Sequence, residues 1–192
     1  NLLVSPTAKF QDIDNFLREI WLECCGHLSS FIEVGTKKKS RYDFEAVEIS
    51  MSKKVSKVFY EGQKIQYEYD FGTTTSLRLT VVAIMPVKTT QKITLLSRNE
   101  PLELLCETCK KLPATQICAI HLYSDQDNMF CEKCAKKHAK ICEDFADYAA
   151  MPVVNSPRMG ECAYEGGSID LERDGVFVKK QETQDTSKKH VI

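Results

Sequence analysis

Near the start of the chain, Phe10, Ile13, Phe16, Leu17, Ile20, Trp21 and Cys24 recur at helical spacing and fall on one stripe. The pattern predicts a helix facing a core, with Gly26 just past its last apolar turn, where a left-handed cap suits glycine. Residues 28–34 then read as a strand and 35–41 as a polar loop. Val55, Val58 and Phe59 place one apolar side on a short helix over 53–60, closed by Gly62. The stretch 65–71 alternates: Ile65, Tyr67, Tyr69 and Phe71 point one way, and Gln66, Glu68 and Asp70 the other. Gly72, Thr73 and Thr74 form a turn before Leu77, Leu79 and Val81 resume the alternation, so a β-hairpin is expected. A third strand over 92–96 is expected to pair beside it.

Helices on an antiparallel sheet make an α+β domain over residues 1–98. A cysteine-rich module is expected over 99–145, and an irregular segment packing back on the domain over 146–178. The polar stretch 179–192 is expected to be a flexible tail. A hydrophobic content of 43% suffices for a real core, while a formal net charge of −1 gives no global attraction to phosphate backbones or anionic membranes. The basic clusters Lys37-Lys38-Lys39 with Arg41, and Lys136-Lys137 with Lys140, read as solvated faces. No signal peptide and no bilayer-length apolar run is read from the chain. With nine cysteines, that points to a reducing compartment, where thiols bind metal more often than they pair, so a cytoplasmic location is expected.

Six of the nine cysteines lie between 106 and 142, within four two-ligand units in order: Cys106-x2-Cys109, Cys118-x2-His121, Cys131-x2-Cys134 and His138-x3-Cys142. A Cys-x2-Cys knuckle lets two thiolates of one turn reach an ion at about 2.3 Å, and the x3 spacing puts His138 and Cys142 on one helical face. Sulfur with imidazole favours zinc over calcium or magnesium. Eight ligands complete two tetrahedra, so two structural zinc ions are expected. The bland alternative, buried free cysteine acting as a small apolar residue, does not produce four spaced pairs. His121, behind Ala119 and Ile120, is the ligand with the least support.

Two pairings are open. Units can close sequentially, one with two and three with four, or as a cross-brace, one with three and two with four. The three-residue gap between Cys134 and His138 favours the cross-brace, which resembles MYND and B-box modules. With His121 in the fourth place and a two-residue spacer in the third pair, the MYND habit of binding proline-containing peptides does not carry over.

Outside the module, Cys24-Cys25-Gly26-His27 reads either as a small metal or redox site or as core packing by Cys24. Adjacent cysteines on a helix diverge by about 100°, which favours core packing. His27 reads as a capping or core hydrogen-bonder, and Cys162, twenty residues beyond the module, as a ligand only if one of the module's eight is missing.

Three strings resemble the plasmid ORF-3-like family. They are DNFLREIWLECCGHLSSF over 14–31, YEYDFG over 67–72, and the cysteine module followed by PVVNSPRMG over 152–160 with Cys162 and Tyr164. The resemblance spans the chain to about residue 167 and implies an α+β fold. The family has no agreed activity, and some members lie beside mobile elements. Many continue after the glycine of YEYDFG with an acidic residue and a tryptophan; this chain has Thr73-Thr74-Thr75-Ser76.

Three function classes follow. The first is a protein-interaction module with structural zinc and a protein partner. The second is a nucleic-acid-binding accessory protein associated with mobile elements. In its favour, residues 106–142 carry six lysines against two glutamates and two aspartates, a weak basic footprint. The third is a hydrolytic or other enzyme using Glu68, Asp70 and His27 for acid–base work or cation binding. No nucleophile elbow, phosphate loop or open metal triad supports it, so a non-enzymatic role is favoured.

Overall fold

The computed structural model describes residues 1–34 and 47–169. The Lys37–Arg41 loop and the polar tail lie outside the described residues. β1 (Leu2–Val4) leads into α1 (Phe10–Leu17), which carries the first half of the apolar stripe. Over Arg18–Leu22 the helix widens to π-type turns, and Glu23 is already extended. The sequence expectation of an unbroken helix through Cys24 therefore fails by its last turn. The reason is Arg18. Its guanidinium reaches forward to the Glu23 carboxylate at 2.7 Å and to the His27 carbonyl at 2.7 Å, while the Gly26 N–H donates to Glu23 at 2.5 Å. These bonds fasten residues 23–27 as a turn, and Gly26 there adopts φ +80°.

The main sheet has four antiparallel strands in the order β3 (Val47–Ile49), β2 (Ser29–Val34), β4 (Lys64–Tyr69), β5 (Thr75–Thr80). Ile65, Tyr67 and Tyr69 of β4 are fully buried, as the alternation requires. They pack with Phe10, Ile13, Leu17, Leu22 and Phe31. Phe31 meets Phe10 edge-on at 5.0 Å and Tyr67 at 4.7 Å between ring centroids, which adds directional contact to simple burial.

Two sequence expectations are corrected at the ends of these strands. The alternation stops at Tyr69: Asp70 turns to φ +63° and is buried, while Phe71 is 54% exposed. The strand at 92–96 is shorter, β6 (Ile93–Leu95), and pairs with β1 in a separate two-stranded sheet rather than beside the hairpin. Backbone bonds from Val81 back to Gly62 and Gln63 close the hairpin's edge and release the chain, leaving Val82, Ile84 and Met85 exposed. The expected short helix over 53–60 is a single 3₁₀ turn, Val55–Lys57, with Val55 buried.

The second unit holds β7 (Gln116–Cys118), β8 (Met129–Phe130), α2 (Glu132–His138) and β9 (Ala150–Pro152), with strand order β8-β7-β9. Its buried cluster is Cys106, Cys118, Phe130, Cys131, Cys134, Ala135 and Phe145, so sulfur makes up much of its interior. After Pro152 the chain returns to the first unit. Ser156 donates to the Trp21 carbonyl at 2.7 Å, and the Ser168 N–H to the Glu19 carbonyl at 2.6 Å. Among the described residues no helix is long and apolar enough to cross a membrane.

One buried carboxylate joins helix to sheet. Asp14, on the core face of α1, accepts from Tyr67 Oη and Ser29 Oγ at 2.6 Å each and from Arg18 Nε at 2.8 Å. Burial, and then the neighbouring Asp14, hold the Tyr67 phenol far above its ordinary pKa, so it remains a donor. Asp14→Ala leaves Arg18 Nε and two hydroxyls without their shared acceptor. It is expected to cost about 3–5 kcal/mol in urea unfolding, whereas Tyr67→Phe, which removes one bond to the carboxylate, is expected to cost about 1.5–3 kcal/mol.

Candidate metal centres

The first centre is built from two turns. Cys106 and Cys109 sit on a tight knuckle closed by Lys110 N–H to Cys106 O at 2.8 Å, with Lys110 itself at φ +52°. Cys131 immediately precedes α2, and Cys134 lies in its first turn. The four sulfurs lie within 4.8 Å of one another, and Cys109 and Cys131 are 3.9 Å apart. Tetrahedral zinc with bonds of about 2.3 Å needs sulfurs about 3.8 Å apart. Burial opposes ionisation of Cys106, but backbone N–H groups of Cys109 and Cys131 outweigh it and bring the thiol down to about 6. Cys134, by burial and then by the neighbouring Cys106 and Cys131, is pushed up to about 12. Without a cation among them, one thiolate suppresses the next; a divalent ion removes that repulsion.

The second centre joins β7 to α2. Cys118 ends β7, His121 closes the 3₁₀ turn Ala119–His121, His138 ends α2 and Cys142 follows one turn later. Their ligand atoms also lie within 4.8 Å of one another. The His138 ring stacks on Phe130 at 4.3 Å and meets Phe145 and His121 edge-on at 4.8 and 5.0 Å. Burial, followed by the nearby His121, lowers the His138 pKa and favours the neutral imidazole that a metal requires. Most telling are two orphans. His121 Nδ1 and His138 Nε2 are buried and find no hydrogen-bond partner among the described residues. Each would cost free energy if left unpaired, and both belong to a ring of soft ligands.

All eight residues singled out from the sequence are thus gathered, unit one with unit three and unit two with unit four. Cys106 and Cys118, which sequential closure would join, belong to separate groups. No protein-family model, curated protein or solved structure matches this chain.

Elsewhere the structure departs from the sequence reading. Glu68 accepts from Gln66 Nε2 at 2.6 Å, while Asp70 turns inward to Arg158 at 2.9 Å, so the two carboxylates take up different partners. Asp70 and His27 do meet, with Oδ1 3.4 Å from Nδ1. Cys162 supports neither module centre. It joins Cys24, Cys25 and His27 in a third group. The sequence offered Cys24-Cys25-Gly26-His27 as a small metal or redox site but favoured core packing, and Cys24 does lie half-buried against the main core. On a helix the adjacent cysteines would diverge; the turn at 23–27 lets Cys24 and Cys25 face the same group instead. Gly26 marks the turn, and its positive φ allows the reversal that brings Cys25 and His27 together.

The grouping predicts which ligands share an ion. Cadmium-loaded protein mapped for metal-to-sulfur connectivity is expected to join Cys106, Cys109, Cys131 and Cys134 at one metal, and Cys118 and Cys142 at another. A resonance linking Cys106 to Cys118 would overturn the pairing.

Proposed function

We propose that this is a zinc-dependent protein-interaction module. The all-thiolate set of Cys106, Cys109, Cys131 and Cys134 and the mixed set of Cys118, His121, His138 and Cys142 would each hold one zinc ion in a structural role. The observation that carries this reading is the pair of buried, unpartnered imidazole nitrogens grouped with two sulfurs. Bound there, zinc supplies cross-links rather than reactivity. Four protein ligands close a tetrahedral site, whereas catalytic zinc keeps a place for water or substrate. A segment whose interior is largely cysteine gains its folding energy from the metal. The resemblance to the plasmid ORF-3-like family is proposed as kinship on the same three strings.

A protein partner is favoured by an apolar groove of about 820 Å³ between α1 and the returning chain, lined by Phe16, Trp21, Leu102, Leu105, Val154 and Met159. Leu102 and Leu105 there are 76% and 54% exposed, more apolar surface than a groove facing only water requires.

Three measurements test the proposal. Full-length protein purified without chelator is expected to lose one zinc equivalent in the Cys106→Ser/Cys109→Ser variant and one in Cys118→Ser/Cys142→Ser, by elemental analysis. Metal contents unchanged from the parent would sink it. In cobalt-loaded protein the visible bands assigned to these two centres are expected to ignore added azide, and a shift would reveal an open, reactive position. For the partner, native capture is expected to recover a protein that Leu102→Ser/Leu105→Ser releases; recovery of RNA or DNA instead would replace the reading.

A further inference from the structure

The turn at 23–27 and the chain around residue 162 are far apart in sequence, yet their side chains converge. Cys25 Sγ lies 3.0 Å from His27 Nε2 and 3.4 Å from Cys162 Sγ; Cys162 Sγ lies 3.3 Å from His27 Nε2; and Cys24 Sγ is 3.8 Å from Cys25 Sγ. All four ligand atoms fall within 4.8 Å of one another. Zinc at about 2.3 Å from sulfur and 2.0 Å from nitrogen sets tetrahedral edges of about 3.8 Å between sulfurs and about 3.5 Å between sulfur and nitrogen. The four separations are equal to those edges or slightly shorter, so an ion would need only a small outward movement of the side chains.

What surrounds the group is also what a metal centre needs. The far nitrogen of His27 faces a carboxylate, Asp70 Oδ1, at 3.4 Å, which orients Nε2 toward the sulfurs. Asp70 is itself fixed, by Arg158 Nη2 at 2.9 Å and by the Gly72 and Thr73 N–H groups at 3.0 and 3.3 Å. Arg158 has no exposed surface, and its Nη2 also stands 3.7 Å from Cys24 Sγ, with Tyr69 Oη at 3.8 Å from the same sulfur. A buried cation and a hydroxyl thus face a sulfur that metal binding would hold as thiolate.

We propose that Cys24, Cys25, His27 and Cys162 form a third metal site, three thiolates and one imidazole for a thiophilic divalent ion of the zinc class. Its ion ties the returning chain to the α+β unit, with the positioning residues Asp70 and Arg158 behind it. Cys25 and Cys162 are exposed, in contrast to the mainly buried ligands of the module. The ion at this site is therefore the first to exchange.

The experiment is metal analysis of the full chain purified in reductant without chelator. The expected result is one zinc equivalent more than the module's two. That equivalent is released in a separate fast phase when a chromogenic chelator is added. Cys25→Ser/Cys162→Ser is expected to abolish the fast phase and lower the content by one, while Cys106→Ser/Cys109→Ser leaves the fast phase intact. Should the first variant disturb folding, Asp70→Asn in the otherwise intact chain is expected to speed release in that phase at least about tenfold, as loss of an outer-shell partner does. A metal content unchanged by Cys25→Ser/Cys162→Ser overturns the proposal, as does recovery of a Cys25–Cys162 disulfide from the reduced native protein. Either result leaves the module's two centres untouched.

Discussion

Thiolates gathered within 4.8 Å of one another oppose each other's ionisation, a repulsion that a bound cation would relieve. That constraint governs the second unit. Its strands are two or three residues long and its longest helix has seven, too little for a hydrocarbon core. Cysteine fills the interior instead, with Phe130 and Phe145 as the principal apolar bodies. The knuckle at 106–109, the start of α2 and the end of β7 are each oriented by where a sulfur has to point.

The first unit solves a different problem, burying charge without stranding it. Asp14 and Asp70 are both nearly inaccessible, and each is paired with an arginine, Arg18 and Arg158 respectively. The two guanidiniums also lie near the same ring, 4.8 and 5.3 Å from the Tyr69 centroid. Removing one member of such a pair is costly because the partner is left in low dielectric. The pairs therefore specify geometry more than they add stability: Arg18 ends the helix and shapes the turn at 23–27, and Arg158 docks residues 153–169 against the end of the hairpin.

The returning segment is what brings the units into register. Gly160, at φ +82°, lies where an added Cβ would be 3.2 Å from Leu122 Cδ2 of the module. Tyr123 of the module hydrogen-bonds the Glu161 carboxylate. A few residues away Arg158 and Ser156 hold the α+β unit. The segment has no regular structure of its own, so side-chain bonds and close backbone approach do the joining.

Spacing along the chain was enough to recognise the α+β class, the apolar stripe of α1, the β4–β5 hairpin and eight candidate ligands, because helical period, strand alternation and Cys-x2-Cys knuckles are local. Partner choice among the ligand pairs was partly legible, since a three-residue gap limits how consecutive units can fold back. Tertiary structure alone decided the rest. The helix ended early because Arg18 found acceptors beyond its own turn, and Asp70 left the polar face of β4 because an arginine 88 residues later required it. Cys162 met Cys25 across 137 residues, a meeting that no local period can encode, since it depends on where a segment without periodicity is docked.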